Sequence, residues 1–300
     1  MNPPIHDADH ILRTVVDGDR ERLARIALAM IPANAGQAIP SPEIGAAEPR
    51  LRELLFTEPH RLDAGHFHAV LTATADHDLD VIIPGDELWP TGLSQLHDAQ
   101  PVALWARGNT DLLTRAIATR IVLTGSRAAS HYGERVASDI AHDLAKSGYV
   151  VTTGGQFGID AAALRAASGV DAPSIAVLPS GLDQPHPAAH GPLFDRVAGS
   201  GGLLLTEAPP DARATRAAHA RRGRIMAALA GTTVIVEAAL RSGVLPIAQQ
   251  AIALWRIVGA VPGPVTSATS AGCHRLIRDG DTHLITSADD IIDIIDDPKS

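Results

Sequence analysis

Ile121, Val122 and Leu123 form an unbroken apolar run that ends at Thr124-Gly125-Ser126-Arg127, after which the period changes and Val136, Ile140 and Leu144 recur every four residues. The first pattern predicts a strand buried on both faces and the second an amphipathic helix, with Gly148 positioned as its stop. Other β-rich runs fall at 81–83, 102–105, 149–153, 174–178, 202–206, 232–236 and 257–261, most of the later ones separated by helical stretches such as 242–254. Apolar strands alternating with helices predict an α/β fold: a mostly parallel sheet with helices on both faces.

Upstream the spacing is helical. Leu12, Val15 and Val16, then Leu23, Ile26, Ala27 and Met30 fall at helical intervals, with Asp17-Gly18-Asp19 as a break. Residues 31–49 carry Pro32, Gly36, Pro40, Pro42, Gly45 and Pro49, a linker composition, and helical spacing resumes over 51–56 and 66–75. We read residues 1–75 as a small N-terminal helical module and 76–300 as the α/β domain. Ser287-Ala288-Asp289-Asp290 predicts a last helix with Ser287 as cap and Asp290 at its third position. Ile291, Ile292, Ile294 and Ile295 on that helix face inward or toward a partner.

Aromatic residues make up only 3% of the chain, so aliphatic side chains and alanine must fill the core. A single cysteine, Cys273, excludes a disulfide framework and fits a reducing compartment. With no basic-then-apolar leader and no apolar run of membrane-spanning length, a cytoplasmic protein with no membrane partner is expected.

The net charge of −9 argues against a nucleic-acid ligand until its distribution is considered. Residues 1–119 hold 9 basic and 17 acidic groups, residues 246–300 hold 4 and 7, and residues 120–245 hold 12 and 10. The acidity is in the flanks. The middle carries Arg213, Arg216, Arg221, Arg222 and Arg224 within twelve residues, and the chain has only two lysines. Such an arginine bias fits either a basic site or GC-rich coding.

Four polar or Gly-rich segments follow predicted strands: Gly125-Ser126-Arg127, Gly154 to Asp160, Ser180 to Asp183, and Thr206 to Pro210. In a parallel sheet all four lie on one rim, where ligands bind. A strand running through a small-residue turn into a helix leaves N–H groups free for phosphate oxygens, and Arg127 adds a bidentate cation. The Gly154 and Gly158 turn allows close approach to a ligand, and Asp160 is suited to cap the next helix. Arg221-Arg222-Gly223-Arg224 is read as opening a helix, with Arg221 and Arg224 on one face and Arg222 elsewhere. Arginines at a helix start oppose the macrodipole, a cost that a nearby anion offsets.

In this order the segments resemble the DNA-processing protein A family (DprA, also called Smf), from residue 81 to residue 295. The resemblance rests on Ile83-Pro84-Gly85-Asp86, Trp89-Pro90, Leu104-Trp105-Ala106-Arg107-Gly108-Asn109, Gly125-Ser126-Arg127, Gly158-Ile159-Asp160, Gly181-Leu182-Asp183, Thr206-Glu207 and Arg221-Arg222-Gly223-Arg224-Ile225. Val236-Glu237-Ala238, Arg241-Ser242-Gly243, Val261-Pro262-Gly263-Pro264 and Leu276-Ile277-Arg278-Asp279-Gly280 complete it. It implies an extended Rossmann-like fold that binds single-stranded DNA in a basic pocket, forms a homodimer, and loads a RecA-type recombinase onto DNA, with no chemistry and no cofactor. By this likeness Gly125, Ser126 and Arg127 form the phosphate loop, Arg221, Arg222 and Arg224 line the pocket wall, and Gly154, Phe157, Gly158, Ser242 and Gly243 complete the interface.

The chain departs from the family pattern in several places. Phe157 stands where relatives usually carry arginine, which either weakens phosphate binding or supplies a stacking surface. The usual His-Phe-Pro lead is Ala218-His219-Ala220, the usual Asn is Gly223, and Val244-Leu245-Pro246-Ile247 follows Ser242-Gly243 where relatives have Ser-Leu-Ile-Thr. No winged-helix module like that of some relatives is expected.

Two other function classes share this fold type. Nucleoside-monophosphate phosphoribohydrolases carry a Pro-Gly-Gly-x-Gly-Thr-x-x-Glu signature, which Ala230-Gly231-Thr232-Thr233-Val234-Ile235-Val236-Glu237 matches poorly. A nucleotide-binding sensor using the same pocket is the other. His186 and His190 are interrupted by Pro187 and lack partner ligands, so no metal site is predicted, and Cys273 beside His274 reads as a loop cysteine rather than a nucleophile.

Overall fold

Burial on both faces explains the unbroken apolar runs: in β3 (Arg120–Thr124), β4 (Val150–Thr153), β5 (Ser174–Val177), β6 (Leu203–Thr206) and β7 (Thr232–Ile235) every residue is buried. The structure, a computed structural model, describes residues 5–31 and 41–297. Four helices come first, α1 (Ile5–Asp17), α2 (Arg20–Met30), α3 (Ala47–Thr57) and α4 (Ala64–Asp76), followed by β1 (Asp80–Ile82) and β2 (Leu104–Gly108). After β3 the helices alternate with strands: α5 (His131–Lys146), α6 (Ile159–Ser168), α7 (Gly191–Gly199), α8 (Arg216–Leu229), α9 (Leu245–Ala253), β8 (Ile257–Ala260), α10 (Ala271–Asp279), β9 (His283–Leu284) and α11 (Ala288–Asp296).

Among the described residues the strands form one sheet in the order β1-β2-β6-β5-β4-β3-β7-β8-β9. The β1–β2 and β2–β6 pairs are antiparallel and all others parallel. Neighbouring residues of a strand point to opposite faces. Val122, Ile175, Ile235 and Val258 therefore pack under α8, α9 and α10, while Ile121, Leu123, Val151 and Val234 pack under α5, α6 and α11. This is the expected mostly parallel sheet with helices on both faces.

The four N-terminal helices rest directly on the sheet. Ile11, Leu28, Leu51 and Phe67 share one apolar cluster with Trp105, Leu164, Ala176, Phe194 and Leu204. Two arginines of α2 reinforce that contact. Arg22 makes paired bonds to Asp86 at 2.8 and 3.0 Å, and these bonds raise its pKa. Arg25 is fully buried against Glu21 at 2.7 Å and donates to the carbonyls of Pro42 and Val102.

The helix ends follow from local chemistry. Asp19 caps α2 across the break read at 17–19, Gly148 takes φ +86° after α5, and Ser287 and Asp290 form a reciprocal capping box. Part of the 31–49 linker (residues 32–40) lies outside the described residues. The short strand β9 has no counterpart in the sequence reading, because both of its residues are exposed and carry no apolar alternation. No described helix is long and apolar enough to cross a membrane.

Candidate nucleic-acid interface

The carboxyl ends of β3 to β8 share one rim, so the loops beginning at Gly125, Gly154, Leu178, Glu207, Val236 and Val261 converge there. Two glycines set how closely they pack. A Cβ on Gly125 would lie 2.7 Å from Ile159 and 2.8 Å from the Glu237 carbonyl. Gly158 takes φ +69°, and a Cβ there would lie 2.3 Å from the Ser126 carbonyl oxygen. Both need glycine, and through them the expected phosphate loop and the Gly154–Gly158 turn become direct neighbours. Ile159 N–H donates to the Ser126 carbonyl at 3.2 Å.

Glu237 holds this loop from beneath. Its buried carboxylate accepts from Ser130 N–H at 2.8 Å, Ser130 Oγ at 2.7 Å and Thr269 Oγ1 at 2.6 Å, while its carbonyl accepts from Ser126 N–H at 2.7 Å. The chain thus supplies its own carboxylate at the start of α5. The N–H groups of Arg127, Ala128 and Ala129 have no acceptor among the described residues. Arg127 is exposed and has no carboxylate partner among them.

Across the rim, α8 begins at Arg216 with Thr215 Oγ1 accepting from Ala218 N–H, so the reading in which Arg221 opens the helix is corrected. The hydroxyl cap starts the helix five residues earlier, and the macrodipole argument for an anion at Arg221 falls away. The division of faces stands. Arg222 is buried and donates to the carbonyls of Gly154 and Val177, with its guanidinium 3.9 Å from Asp160. A Cβ on Gly154 would collide with that guanidinium at 2.4 Å.

Asp160 does not cap α6, whose N-cap is Gly158. Its carboxylate instead accepts from Thr124 Oγ1 at 2.7 Å and Gln156 N–H at 3.1 Å. Burial pushes the Asp160 carboxyl up, against the opposing charge of Arg222. Burial lowers Arg222, opposed by Asp160 and aided by the charge of Arg127. Arg127, in the loop after β3, is linked to Arg222 of α8 through the Gly154–Gly158 turn, which touches the Arg222 guanidinium at Gly154 and the Arg127 carbonyl at Gly158.

Arg221 and Arg224 face the other way, onto Glu207. Arg224 binds it through two nitrogens at 2.9 and 2.6 Å and also donates to the Ala99 carbonyl, while Arg221 reaches it at 3.3 Å. Burial raises the Glu207 carboxyl, but the Arg224 bonds and the two positive charges outweigh it and leave it below the ordinary value. Arg213, Arg221 and Arg224 line a cleft of about 420 Å³ shared with Met30 and Ile31. Ser242 and Gly243 lie in the turn between β7 and α9, and no hydrogen bond joins them to the arginines.

The rim also gathers rings. Phe157 is 48% exposed and sits 4.5 Å from His190, centroid to centroid, with His190 in turn 5.9 Å from Phe194. His219 lies 5.7 Å from His186 and 3.2 Å from the Gln156 side-chain oxygen. Exposed Arg213, Arg216 and Arg241 also have no carboxylate partner among the described residues. Sequence reasoning missed the bracing role of Glu237, whose contact with Ser130 spans 107 positions. Cys273 is buried and its thiol is pushed up to about 12 by burial, which keeps it protonated.

Comparison with known proteins agrees with the geometry. The family profile described as DNA recombination-mediator protein A matches residues 80–296. A putative DNA processing protein DprA of Mycobacterium tuberculosis is 44% identical over 225 residues, covering 72% of this chain and 57% of the relative. Protein Smf of Escherichia coli is 38% identical, covering 71% of this chain and 56% of its own length, so the chain spans little more than half of these two curated relatives. Among solved structures, DprA of Streptococcus pneumoniae superposes with a TM-score of 0.71 at 27% identity, over 95% of this chain and 96% of that one. The Helicobacter pylori protein, described by its single-stranded DNA binding mode, has the same fold, with a TM-score of 0.64 at 24% identity over 72% of this chain and 95% of that one. The ordered motifs, the sheet and these identities lead to one conclusion: the chain belongs to the DNA recombination-mediator protein A (DprA/Smf) family.

Proposed function

We propose that this chain binds single-stranded DNA along the carboxyl rim of its sheet and acts as a recombination mediator, as a homodimer that passes the strand to a RecA-type recombinase. The observation that carries the reading is the packing of the Gly154–Gly158 turn against both the Arg222 guanidinium and the backbone of Arg127, whose exposed side chain has no carboxylate partner among the described residues. Exposed Arg213, which lines a surface hollow with His186, adds a cation on the side of His219. Arginines on such a rim neutralise phosphates and release counterions. No covalent step is proposed: Glu237, the glutamate of the segment compared with the phosphoribohydrolase signature, is buried and held by Ser130 and Thr269. In Arg127→Ala, affinity for an oligo-dT strand should fall about tenfold, and the salt slope should flatten by about 0.7, one phosphate contact on a single strand. Fluorescence anisotropy at several salt concentrations measures both, and unchanged values reject the rim as the binding site.

His219 gives the interface a pH dependence. Burial lowers its pKa first, the hydrogen bond to the Thr215 carbonyl opposes, and the charges of Arg222, His186 and Arg127 lower it further. The free protein therefore holds a neutral imidazole at neutral pH, whereas an incoming phosphate favours the imidazolium, so binding takes up a proton. Affinity should rise as pH falls from about 7.5 to about 5.5, more in the wild type than in His219→Gln. The free fold responds with the opposite sign. A lowered folded pKa leaves its stability contribution intact above about pH 6.5 and removes it as pH falls through the folded value. Identical pH profiles for the two proteins refute the role of His219.

The cleft lined by Arg213, Arg221 and Arg224 favours a second reading, a nucleotide sensor. It ranks below the first because Glu207 already engages two of those arginines. A nucleotide-induced thermal shift without oligonucleotide binding would reverse the order.

A further inference from the structure

Phe157 stands out at the rim. It is 48% exposed, between Gln156 at 4% and Gly158, the glycine whose missing Cβ lets the loop touch the Ser126 and Arg127 carbonyls. Phe157 is therefore next in sequence to the residue that touches the phosphate loop. It is also propped. His190, 3% exposed, packs against it at 4.5 Å with the planes inclined by 60°, and Nδ1 of His190 is fixed to the Gly155 carbonyl at 3.0 Å. Because a carbonyl only accepts, His190 carries its proton on Nδ1. Fully buried Phe194 supports His190 from below. The three rings make a braced column, with part of the topmost ring facing solvent.

We propose that Phe157 is a stacking platform for one unpaired nucleobase, and that it is the residue that makes this rim prefer single strands to duplex; the inference rests on the single-stranded DNA reading above. The turn that carries Phe157 meets the Arg222 guanidinium at Gly154 and the Arg127 backbone at Gly158, and His219 reaches the Gln156 side chain, whereas the carboxylates of Asp160 and Glu237 are buried. A ligand that satisfies both a cationic track and an apolar ring plane carries phosphates and flat π-faces. In a duplex those faces are covered by neighbouring bases, so only an unpaired base can lie on Phe157. Stacking tolerates any sequence, because every base offers a face. A ring already held in place loses little freedom when the base arrives.

The test uses Phe157→Leu and Phe157→Trp in the full chain, with oligo-dT and a duplex of equal length as probes. Leucine keeps apolar bulk and removes the plane. Its oligo-dT affinity should drop about tenfold at every salt concentration, giving a salt line parallel to that of the wild type, with duplex binding unchanged. Tryptophan should bind at least as tightly as phenylalanine, and its added emission, over that of the three native tryptophans, should be quenched by oligo-dT. The tryptophan arm stands alone if the leucine variant fails to fold. Wild-type affinity in Phe157→Leu, an equal loss on duplex, a changed salt slope or an unquenched indole each overturns the platform. If the wild type binds oligo-dT and Arg127→Ala weakens it while Phe157→Leu does not, only this inference falls. If the wild type binds no oligo-dT, the underlying reading falls with it.

Discussion

Arg222→Leu is expected to destabilise the fold by about 3–5 kcal/mol, because it strands the buried Asp160 carboxylate without its cation. The two groups are 3.9 Å apart, with side-chain exposures of 9% and 2%, so solvent cannot replace the lost partner. The variant also leaves the Gly154 and Val177 carbonyls without the donor that joins the ends of β4 and β5. Calorimetry should record a drop in midpoint of roughly 10 °C. The loss should depend on pH. Burial already raises the Asp160 pKa, and removing Arg222 raises it further. A raised folded pKa gives stability that is present below the unfolded value near 3.9 and disappears as pH rises through the folded value. The penalty of Arg222→Leu should therefore be smaller near pH 4 than near pH 8, and a pH-independent midpoint close to the wild type would show that Asp160 does not need the cation.

Glu237→Ala is expected to destabilise by about 2–4 kcal/mol and to weaken DNA binding at the same time, since Ser130 N–H, Ser130 Oγ and Thr269 Oγ1 all lose their acceptor. Glu237→Gln separates charge from geometry. Its amide can turn its oxygen to the Ser130 N–H and its NH₂ to the Ser130 and Thr269 hydroxyls, which accept as well as donate. The glutamine variant should recover most of the loss. No recovery in denaturant titration would mean that the negative charge itself braces the Arg127 loop.

The core strands were legible because a strand covered on both faces is mostly apolar, and β3 to β7 carry runs such as Ile121-Val122-Leu123 and Leu203-Leu204-Leu205. The exposed His283-Leu284 strand left no such trace. Arg127 and Phe157 were legible as residues of strand-to-helix turns, where topology alone brings them to one rim. The start of α8 lies five residues before the arginine cluster, because the Thr215 hydroxyl fixes the first turn and a lone threonine is a weaker sequence signal than the cluster. Nor could spacing reveal that Arg221 and Arg224 would close on Glu207, which lies in the preceding loop, or that Ser130 would rest on Glu237. Such pairings are decided by which loops the sheet brings together, and no local pattern records them.

Helix α8 grips three neighbouring loops at once: Arg222 takes the ends of β4 and β5, and Arg221 with Arg224 takes the loop after β6. It works as a crossbar. Loops fastened to one bar cannot fold independently over a guest, so a strand bound at the proposed rim would meet a groove already in the shape it keeps, and the ordering entropy of that encounter would fall on the strand.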